Sequence, residues 1–581
     1  MKRVAIGCAV MLVIFLAVAM ISLGVSRSRS GVRANSWVRA DLSGEFAEFR
    51  PPSILTALNL DESPLLRDVT DALDRAADDD RISGVLVRID RLEAGWGKTA
   101  ELRSHLAGYA GSGKPLVCFM ETAGEFAPAN KEYYLASACP KIVLAPAGDV
   151  NLLGLMSSST FYRGTFDLLG IYPDIEHIGD YKAMKNIYTE KSYTDAHREM
   201  TTSILQSVEG TLVAGVAEGR KMTPDAVRAL FPRAPFSASE AKEAGLVDSL
   251  EYWDQVVAGI TPEGEDRPRT VSVTQYLATG RPDSTGSREI AVIYAVGEIL
   301  RGRSQQDVLS GLTIIGSESL SEWIHAAADN KAVSAIVLRV DSPGGSAMGS
   351  DLIWREVERA KEKKPVVVSM SDLAGSGGYY ISVPATEIVA QPTTLTASIG
   401  VVAGKMEIKG LLNKIGLTED RILLEPAAGY YDPYERYTPE QKAMQWKSLQ
   451  RIYADFTERV AKGRNMSVAD VDNVGQGRVW TGAQAKEIGL VDHLGGLDTA
   501  LARAKDLAHL DAEAPVRLHV YPEQKSLWQI LHDEDQGVLS PATLKTLSRL
   551  QAGIRAVSRV AAAAEEPESR VLSMDAVPDI R

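Results

Sequence analysis

The stretch ISGVLVRID, residues 82–90, recurs later in the chain as VSAIVLRVD, residues 333–341. Three further stretches recur in the same order: KPLVCFME (114–121) as KPVVVSMS (364–371), YYLASACPKIVLAP (133–146) as YYISVPATEIVAQP (379–392), and SASEAKEAGLVDSL (237–250) as TGAQAKEIGLVDHL (481–494). Four ordered matches are not expected by chance, and their spacing drifts slowly, as it does when insertions and deletions follow a duplication. The chain therefore contains two copies of one domain and not a short-period solenoid.

Each copy alternates short apolar runs with amphipathic stretches. In the second copy, strands are predicted at 290–297, 334–341, 365–370 and 387–392, with helices at 319–330 and 350–363 between them. Strands that are apolar on both faces are typical of parallel sheets covered by helices. The predicted fold class is therefore α/β, with a tandem duplicated domain.

The chain is predicted to begin with a membrane anchor. Residues 4–25 carry no charge, and a run of that length can span a bilayer as a helix. A signal peptide would have a shorter apolar core and a small-residue exit. The flanking charges are nearly balanced, so they set the orientation only weakly; we expect the N-terminus inside and the remaining chain outside the cytoplasm.

The predicted organisation has six parts. They are an anchor with a short cytoplasmic N-terminus at 1–26, a linker at 27–35, the first copy at 36–260, a linker at 261–287, the second copy at 288–525, and a C-terminal extension at 526–581. Within the extension, residues 540–563 predict an amphipathic helix that packs on protein or on a membrane surface. The remaining residues predict a flexible tail.

Composition excludes some classes of function. The net charge of −13 leaves no basic excess to neutralise phosphates, which argues against a nucleic-acid partner. The 3 cysteines cannot build a disulfide scaffold, and they show no zinc-binding spacing. Cys118 and Cys139 could pair only if the fold makes them neighbours, and we take both as buried thiols by default.

A serine lies among glycines in AGSGG, residues 374–378, directly after the predicted strand at 365–370. These glycines are consistent with a tight strand-to-helix turn, or with a turn that exposes Ser376 as a nucleophile. The first copy has GEFAPANKE at this place, without serine or cysteine. Ser398, in TLTASIGV, is a rival nucleophile.

The first copy has a lysine that the second copy lacks. When GDYKAMKN of the first copy is aligned with the second copy, Lys182 faces Ala428. A buried lysine whose pKa falls can serve as the base for a serine, and neither motif contains a histidine to do so. A solvated surface lysine is the alternative interpretation, and Lys185 and Lys191 are the other candidate bases nearby.

The second copy also carries DSPGGS, residues 341–346, where the first has DRLEAG. The turn either only ends the strand or presents backbone N–H groups to a substrate oxygen. The candidate oxyanion donors are Gly344, Gly345 and Gly377.

Together, the anchor, the tandem repeat, GDYKAMKN, DSPGG, AGSGGYYIS and TLTASIGV resemble the long form of bacterial signal peptide peptidase A (protease IV), over about residues 36–525. The resemblance implies ClpP/crotonase-like domains and a serine endopeptidase of the inner membrane, with its catalytic domains on the periplasmic side. It further implies that signal peptides and other apolar peptides are substrates, that the protein forms a homotetramer, and that no metal or cofactor is needed. By this resemblance Ser376 is the nucleophile and Lys182 the general base.

One departure and three rivals accompany this resemblance. The family often has a small polar residue after the Tyr-Lys pair, whereas Ala183 follows here. A crotonase-like acyl-CoA enzyme would share the fold, but an exported domain has no access to CoA thioesters. An inactive membrane scaffold would not be expected to keep a complementary serine and lysine. A Ser-His-Asp peptidase would need a histidine soon after the serine, and residues 377–418 contain none.

Overall fold

The computed structural model describes residues 32–50, 64–280, 288–306, 313–512, 515–523, 572–573 and 579–580. The predicted anchor at 4–25 and the predicted helix at 540–563 lie outside these residues. Within the described ranges, no helix has the length and apolar character needed to cross a membrane.

The first copy is built on a six-stranded, all-parallel sheet. The strands of this copy, six of which form the sheet, are β1 (Ser36–Gly44), β2 (Ile82–Leu92), β3 (Leu116–Met120), β4 (Lys141–Leu144), β5 (Asp149–Val150), β6 (Ser157–Ser158), β7 (Tyr172–Ile178), β8 (Phe236–Ser237), β9 (Ser249–Leu250) and β10 (Thr270–Ser272). The sheet has the order β10-β1-β2-β3-β4-β9, while β5 pairs with β8 outside it.

Helices cover this sheet. They are α1 (Leu66–Asp78), α2 (Trp96–Gly111), α3 (Asn130–Ala136), α4 (Arg163–Leu169), α5 (Asn186–Thr189), α6 (Asp195–Arg220), α7 (Pro224–Arg228), α8 (Ala238–Glu243), α9 (Trp253–Gly259) and α10 (Val273–Leu277). Short 3₁₀ turns lie at Ala183–Lys185 and Phe231–Arg233. The middle of β2 is buried on both faces, as expected for a parallel strand between two helical layers.

The second copy repeats this topology. Its strands, with the last two from the C-terminal extension, are β11 (Arg288–Val296), β12 (Glu298–Leu300), β13 (Gln305–Gln306), β14 (Thr313–Gly316), β15 (Val333–Ser342), β16 (Gly344–Gly345), β17 (Val366–Gly375), β18 (Glu387–Ala390), β19 (Leu395–Ala397), β20 (Val401–Glu407), β21 (Val479–Thr481), β22 (His493–Leu494), β23 (Val516–Tyr521), β24 (Leu572–Ser573) and β25 (Asp579–Ile580). The path β23-β11-β15-β17-β18-β22 is parallel and matches the order of the first sheet strand for strand. The predicted duplication and the α/β class are thereby confirmed.

The helices of the second copy follow the same plan. They are α11 (Ser317–Asp329), α12 (Ala347–Lys361), α13 (Gly377–Ser382), α14 (Lys409–Lys414), α15 (Pro439–Arg464), α16 (Val468–Val474), α17 (Gly482–Glu487) and α18 (Leu497–Leu507), with a 3₁₀ turn at Pro426–Gly429. From the predicted tail, β24 pairs with β16 and β25 with β6.

A two-stranded ribbon joins the copies. The strand β7 of the first copy pairs antiparallel with β20 of the second, in a register that runs from Val401 opposite Ile178 to Glu407 opposite Tyr172. Because backbone hydrogen bonds fix this register, the residues just beyond Ile178 are held close to those just before Val401.

A buried arginine also connects the copies. Arg339 in β15 is 0% exposed and donates to both carboxylate oxygens of Glu48 (2.9 and 3.0 Å) and to Glu101 Oε2 (2.8 Å). At the matching position of the first copy, Arg88 forms an exposed pair with Glu121. The difference arises because this side of β15 faces the first copy, whereas the arginine of β2 faces solvent.

The two cysteines expected to be buried thiols form a disulfide, so that default was wrong. Cys118 lies in β3, and Cys139 lies just beyond α3. Their Cα atoms are 5.9 Å apart, which is the separation that a disulfide requires. In the second copy, the repeat alignment puts Val368 and Ala385 at these positions.

Replacing Arg339 by Met is expected to destabilise the protein by about 3–5 kcal/mol, because the charges of Glu48 and Glu101 would stay buried without their partner. The matched change Arg88→Met removes an exposed pair and is expected to cost at most about 1 kcal/mol. Urea unfolding followed by tryptophan fluorescence measures both. Equal midpoints for the two variants would contradict the importance of the buried pair.

The double variant Cys118→Val, Cys139→Ala copies the packing of the second copy and removes the disulfide. We expect a loss of about 2–4 kcal/mol, mainly through the freer unfolded chain. A thermal melt should show that a reducing agent lowers the melting temperature of the wild type and leaves that of the variant unchanged. Thiol labelling of both positions in unreduced, unfolded wild type would show that the bond is absent.

Candidate active site

Ser376 occupies a sharp turn between β17 and α13. Its backbone has φ 52° and ψ −111°, a conformation that residues with a Cβ rarely adopt. The turn is held by a hydrogen bond of 2.7 Å from the Ser376 N–H to the Ala397 carbonyl, and the residue is fully buried. A strained backbone of this kind at the mouth of a sheet is typical of functional sites.

The glycines around Ser376 are needed for close approach between two turns. A Cβ on Gly377 would lie 2.6 Å from Ser350 Oγ, 3.1 Å from Gly344 Cα and 3.2 Å from Gly345 N. These separations leave no room for a side chain at 377. The turn after β15 and the turn that carries Ser376 therefore pack backbone against backbone.

Lys182 reaches this turn from the first copy. Its Nζ donates hydrogen bonds to Ser376 Oγ (2.8 Å), to Ser398 Oγ (3.1 Å) and to the Ser398 carbonyl oxygen (3.2 Å). Lys182 is 1% exposed. The structure thus brings together the serine and the lysine that the sequence had paired, across the boundary between the copies.

Ser398 has a place that the sequence did not indicate. It was considered only as a rival nucleophile, yet its hydroxyl and its carbonyl both lie beside Lys182 Nζ. It stands three residues before β20, at the end of the ribbon that delivers the lysine. Because the ribbon pairs strands from different copies, no local pattern could have revealed the contact.

The other candidate lysines are arranged differently. Lys191 lies 2.9 Å from Asp167 and its side chain is 67% exposed, so it fits the interpretation of a solvated surface lysine. Lys185 ends the short 3₁₀ turn that follows Lys182. In the described structure, the contact with Ser376 Oγ is made by Lys182.

The three candidate oxyanion donors lie together but differ in their bonding. Gly344 donates its N–H to Ser342 Oγ at 3.1 Å. Gly345 pairs with Ile299 of β12 and, on its other side, with Leu572 of β24. Gly377 is the first residue of α13, where the helix leaves N–H groups without helical acceptors.

A loop of the second copy presses on the lysine. The Tyr181 N–H donates to the Gln476 carbonyl at 2.9 Å. A Cβ on Gly477 would lie 2.5–2.6 Å from the N, Cα and Cβ atoms of Lys182. The guanidinium of Arg478 stacks on the Tyr181 ring at 4.7 Å and pairs with Glu199 of α6. This loop therefore fixes the backbone from which Lys182 extends.

One cluster in the described chain has ligand atoms close enough to hold a metal ion, namely Asp74, His105 and Asp498. The two ring nitrogens of His105 face Asp74 (2.7 Å) and Asp498 (3.4 Å). Burial alone would lower the pKa of His105, but the two carboxylates outweigh it and raise the pKa to about 9. The two carboxylates therefore favour the protonated form of the ring.

Comparisons with known proteins bear on this arrangement. The sequence matches Peptidase family S49 over residues 110–263 and 358–511, once in each copy. It is 36% identical to "Serine protease SPPA, chloroplastic" of Arabidopsis thaliana, over 76% of this chain and 66% of the relative. It is 32% identical to "Protease 4" of Salmonella typhi, over 77% of this chain and 72% of the relative.

A further relative covers more of both chains. "Protease 4" of Haemophilus influenzae is 27% identical, over 87% of this chain and 86% of the relative. Among solved structures, a ClpP1 mutant from Listeria monocytogenes is similar with a TM-score of 0.23 and 14% identity, over 36% of this chain and 92% of that one; a score this low does not define the fold. From the family match to both copies and the relatives that share most of its length, the chain belongs to Peptidase family S49 and is a serine peptidase.

Proposed function

We propose that the protein is a membrane-anchored endopeptidase that uses a Ser376–Lys182 dyad on apolar peptides, signal peptides among them. The observation that carries this proposal is the 2.8 Å separation of Lys182 Nζ and Ser376 Oγ in a buried site. A nucleophile and a base within hydrogen-bond reach, with the base held by a third group, is the arrangement that covalent catalysis requires. Ser398 is that third group.

Burial supports lysine as the base. Taking an ammonium group out of water disfavours its charged form. The hydroxyls of Ser376 and Ser398 and the Ser398 carbonyl lie within 3.2 Å of Nζ, and uncharged acceptors of this kind stabilise an ammonium group less than a carboxylate would. Desolvation of this kind favours the neutral amine, which is the form that can serve as a base.

The chemistry then follows in two halves. As Ser376 Oγ attacks the peptide carbonyl carbon, its proton passes to neutral Lys182 Nζ. Lys182 then gives this proton to the leaving amine as the C–N bond breaks, which leaves an acyl ester on Ser376. A water attacks the ester after giving its proton to Nζ, and that proton returns to Oγ when the ester bond breaks.

Backbone amides would hold the negative oxygen of the tetrahedral intermediates. The N–H of Gly377, the first residue of α13, would be one donor, and the Gly344–Gly345 turn would supply the other. Donors that are fixed before the reaction stabilise the transition state without reorganisation. The tight packing of the two glycine turns supplies this fixity.

Apolar peptides are favoured as substrates by the surface next to the site. The helix α12 begins directly after the Gly344–Gly345 strand and exposes Met348 and Leu352, one turn apart. Two exposed apolar side chains on one helix face can contact apolar side chains of a bound peptide. The resemblance to signal peptide peptidases points to the same class.

An extracytoplasmic location is supported by two features. The Cys118–Cys139 disulfide is typical of oxidising compartments. The uncharged run at 4–25 would tether the domains to the membrane. By the same resemblance we propose a ClpP/crotonase-like fold for each copy and a homotetrameric assembly. A crotonase-like acyl-CoA enzyme would instead be expected in the cytoplasm.

Ser376→Ala and Lys182→Met should each lower kcat for a fluorogenic apolar peptide by at least about 1000-fold, because the nucleophile or its base is missing. Lys185→Met is the matched control and should keep nearly the wild-type rate. Detergent-solubilised full-length protein is assayed, with melting temperatures recorded for each variant. Wild-type rates in folded Ser376→Ala would overturn the dyad.

Ser398→Ala should have a smaller effect. It removes one hydroxyl beside Lys182 Nζ but leaves the nucleophile in place, and one hydrogen bond contributes about 1 kcal/mol. We expect kcat to fall by roughly fivefold. A loss as large as that of Ser376→Ala would assign the nucleophile to Ser398, and labelling with a serine-directed phosphonate followed by mass spectrometry would locate it directly.

Gly477→Ala should strongly lower activity, because the new methyl would meet the Lys182 backbone at 2.5–2.6 Å. Gly489→Ala is a close control: its φ is +79° against +77° at Gly477, but its Cβ would meet nothing within 4 Å. Both changes carry the same backbone strain, so only the first should displace the lysine. Equal kcat for the two variants would show that the loop does not position Lys182.

A further inference from the structure

Two carboxylates lie in the strands just before the two turns that form the site. Asp341 is the second-to-last residue of β15, three residues before Gly344. Asp372 lies in β17, four residues before Ser376. The Leu373 N–H donates to Asp341 Oδ1 at 3.2 Å, which ties the two strand ends together.

A lysine of the first copy binds both carboxylates. Lys98 Nζ is 2.8 Å from Asp341 Oδ2 and 3.5 Å from Asp372 Oδ2. Its side chain is 9% exposed, so these ion pairs are largely shielded from water. Lys98 therefore touches the base of the glycine turn and the base of the nucleophile turn at the same time.

The helix that carries Lys98 is docked on the same aspartate. Asp372 accepts hydrogen bonds from the N–H groups of Gly95 (3.1 Å) and Lys98 (2.8 Å), at the start of α2. A Cβ on Gly95 would lie 2.4 Å from Asp372 Cγ, and one on Gly97 would lie 2.6 Å from the Ser371 carbonyl oxygen. The second copy thus supplies the capping carboxylate that the residue before α2 lacks.

The surrounding charges make this site sensitive to the loss of Lys98. Arg339, Glu48 and Glu101 lie behind it, so the buried network has four carboxylates and two cations. Removing Lys98 would leave Asp341 and Asp372 facing each other with Glu48 nearby. Like charges at short range in a buried site repel strongly.

We propose that Lys98 is a positioning residue through which the first copy holds the oxyanion turn and the nucleophile turn of the second copy in their working geometry. This role rests on the proposed function, since it assumes that Ser376 and the Gly344–Gly345 strand do the chemistry. The contact acts on the transition state rather than on substrate binding, because Lys98 fixes backbone turns. A displacement of about 1 Å in such turns can lower the rate about 100-fold.

The contact also has a pH dependence. Burial, together with the charges of Asp372 and Glu48, raises the pKa of Asp341 to about 6, although Lys98 acts in the opposite direction. Arg339 holds the pKa of Glu48 low from behind the network. Asp341 is therefore ionised above pH 6 and binds Lys98 there; as the pH falls below 6 it takes up a proton and the ion pair is lost.

Asp341→Asn imitates the protonated state at every pH and keeps the acceptor for the Leu373 N–H. We expect its kcat to be about tenfold below wild type at pH 8, with KM changed less than about twofold. The ratio of the two kcat values should approach one at pH 5, where Asp341 of the wild type is itself largely protonated. Melting temperatures of both proteins are recorded at each pH, because titration of Asp341 also makes any difference in stability pH-dependent.

Lys98→Met should lower kcat at pH 8 by about 10–100-fold. Adding Asp341→Asn to it should restore part of the rate, because one of the two repelling charges is removed. The control is Lys114→Met, since the Nζ of Lys114 donates to the Ala76 and Asp79 carbonyls away from the network and its loss should leave kcat unchanged.

Two results would overturn the proposal. One is a kcat ratio for Asp341→Asn that stays constant from pH 5 to 8. The other is a Lys98→Met protein whose kcat falls no further than that of Lys114→Met. Ser376→Ala is assayed alongside: an inactive Ser376→Ala with a normal Lys98→Met refutes only the positioning role, whereas an active Ser376→Ala refutes the dyad itself.

Discussion

The contact between Lys182 Nζ and Ser376 Oγ crosses from one copy of the domain to the other, and it tolerates little error. Proton transfer needs the two atoms within hydrogen-bond reach, so two separate sheets must be held to within about 0.5 Å. An interface made only of apolar side chains would fix the area of contact but not the register. The structure uses directional contacts instead, namely the β7–β20 ribbon and the buried ion pairs.

The ribbon and the ion pairs fix different parts of the interface between the copies. The ribbon sets where the lysine emerges, because its hydrogen bonds fix the position of β7 along β20. The ion pairs around Arg339 and Lys98 set how the first copy sits on the strand ends β15 and β17. Since a buried ion pair seldom adds net stability over apolar packing, its value here lies in a geometry that a one-residue slip would destroy.

Much of the fold could be predicted from the sequence, because apolar strands and amphipathic helices are local patterns. The prediction for β15 was right to within one or two residues, whereas β17 runs to Gly375, five residues beyond the predicted end. Its last part is ordered by pairing with β19, a contact that no local pattern encodes. Ser376 and Lys182 were predicted by comparing the copies, since each copy has a residue that the other lacks. Ser398 was considered only as a rival nucleophile, and Lys98 was not considered, because the partners of both lie in the other copy.

Arg339 marks the limit of what the pattern of an apolar strand can predict. A charged residue inside an apolar strand has to reach solvent or a buried partner. In the first copy, Arg88 stands at the same place and forms an exposed ion pair at the surface. In the second copy, Arg339 has buried carboxylate partners, because the first copy covers that side of the sheet. Two copies of one domain can thus share a strand pattern while the same arginine faces solvent in one copy and binds buried carboxylates of its neighbour in the other.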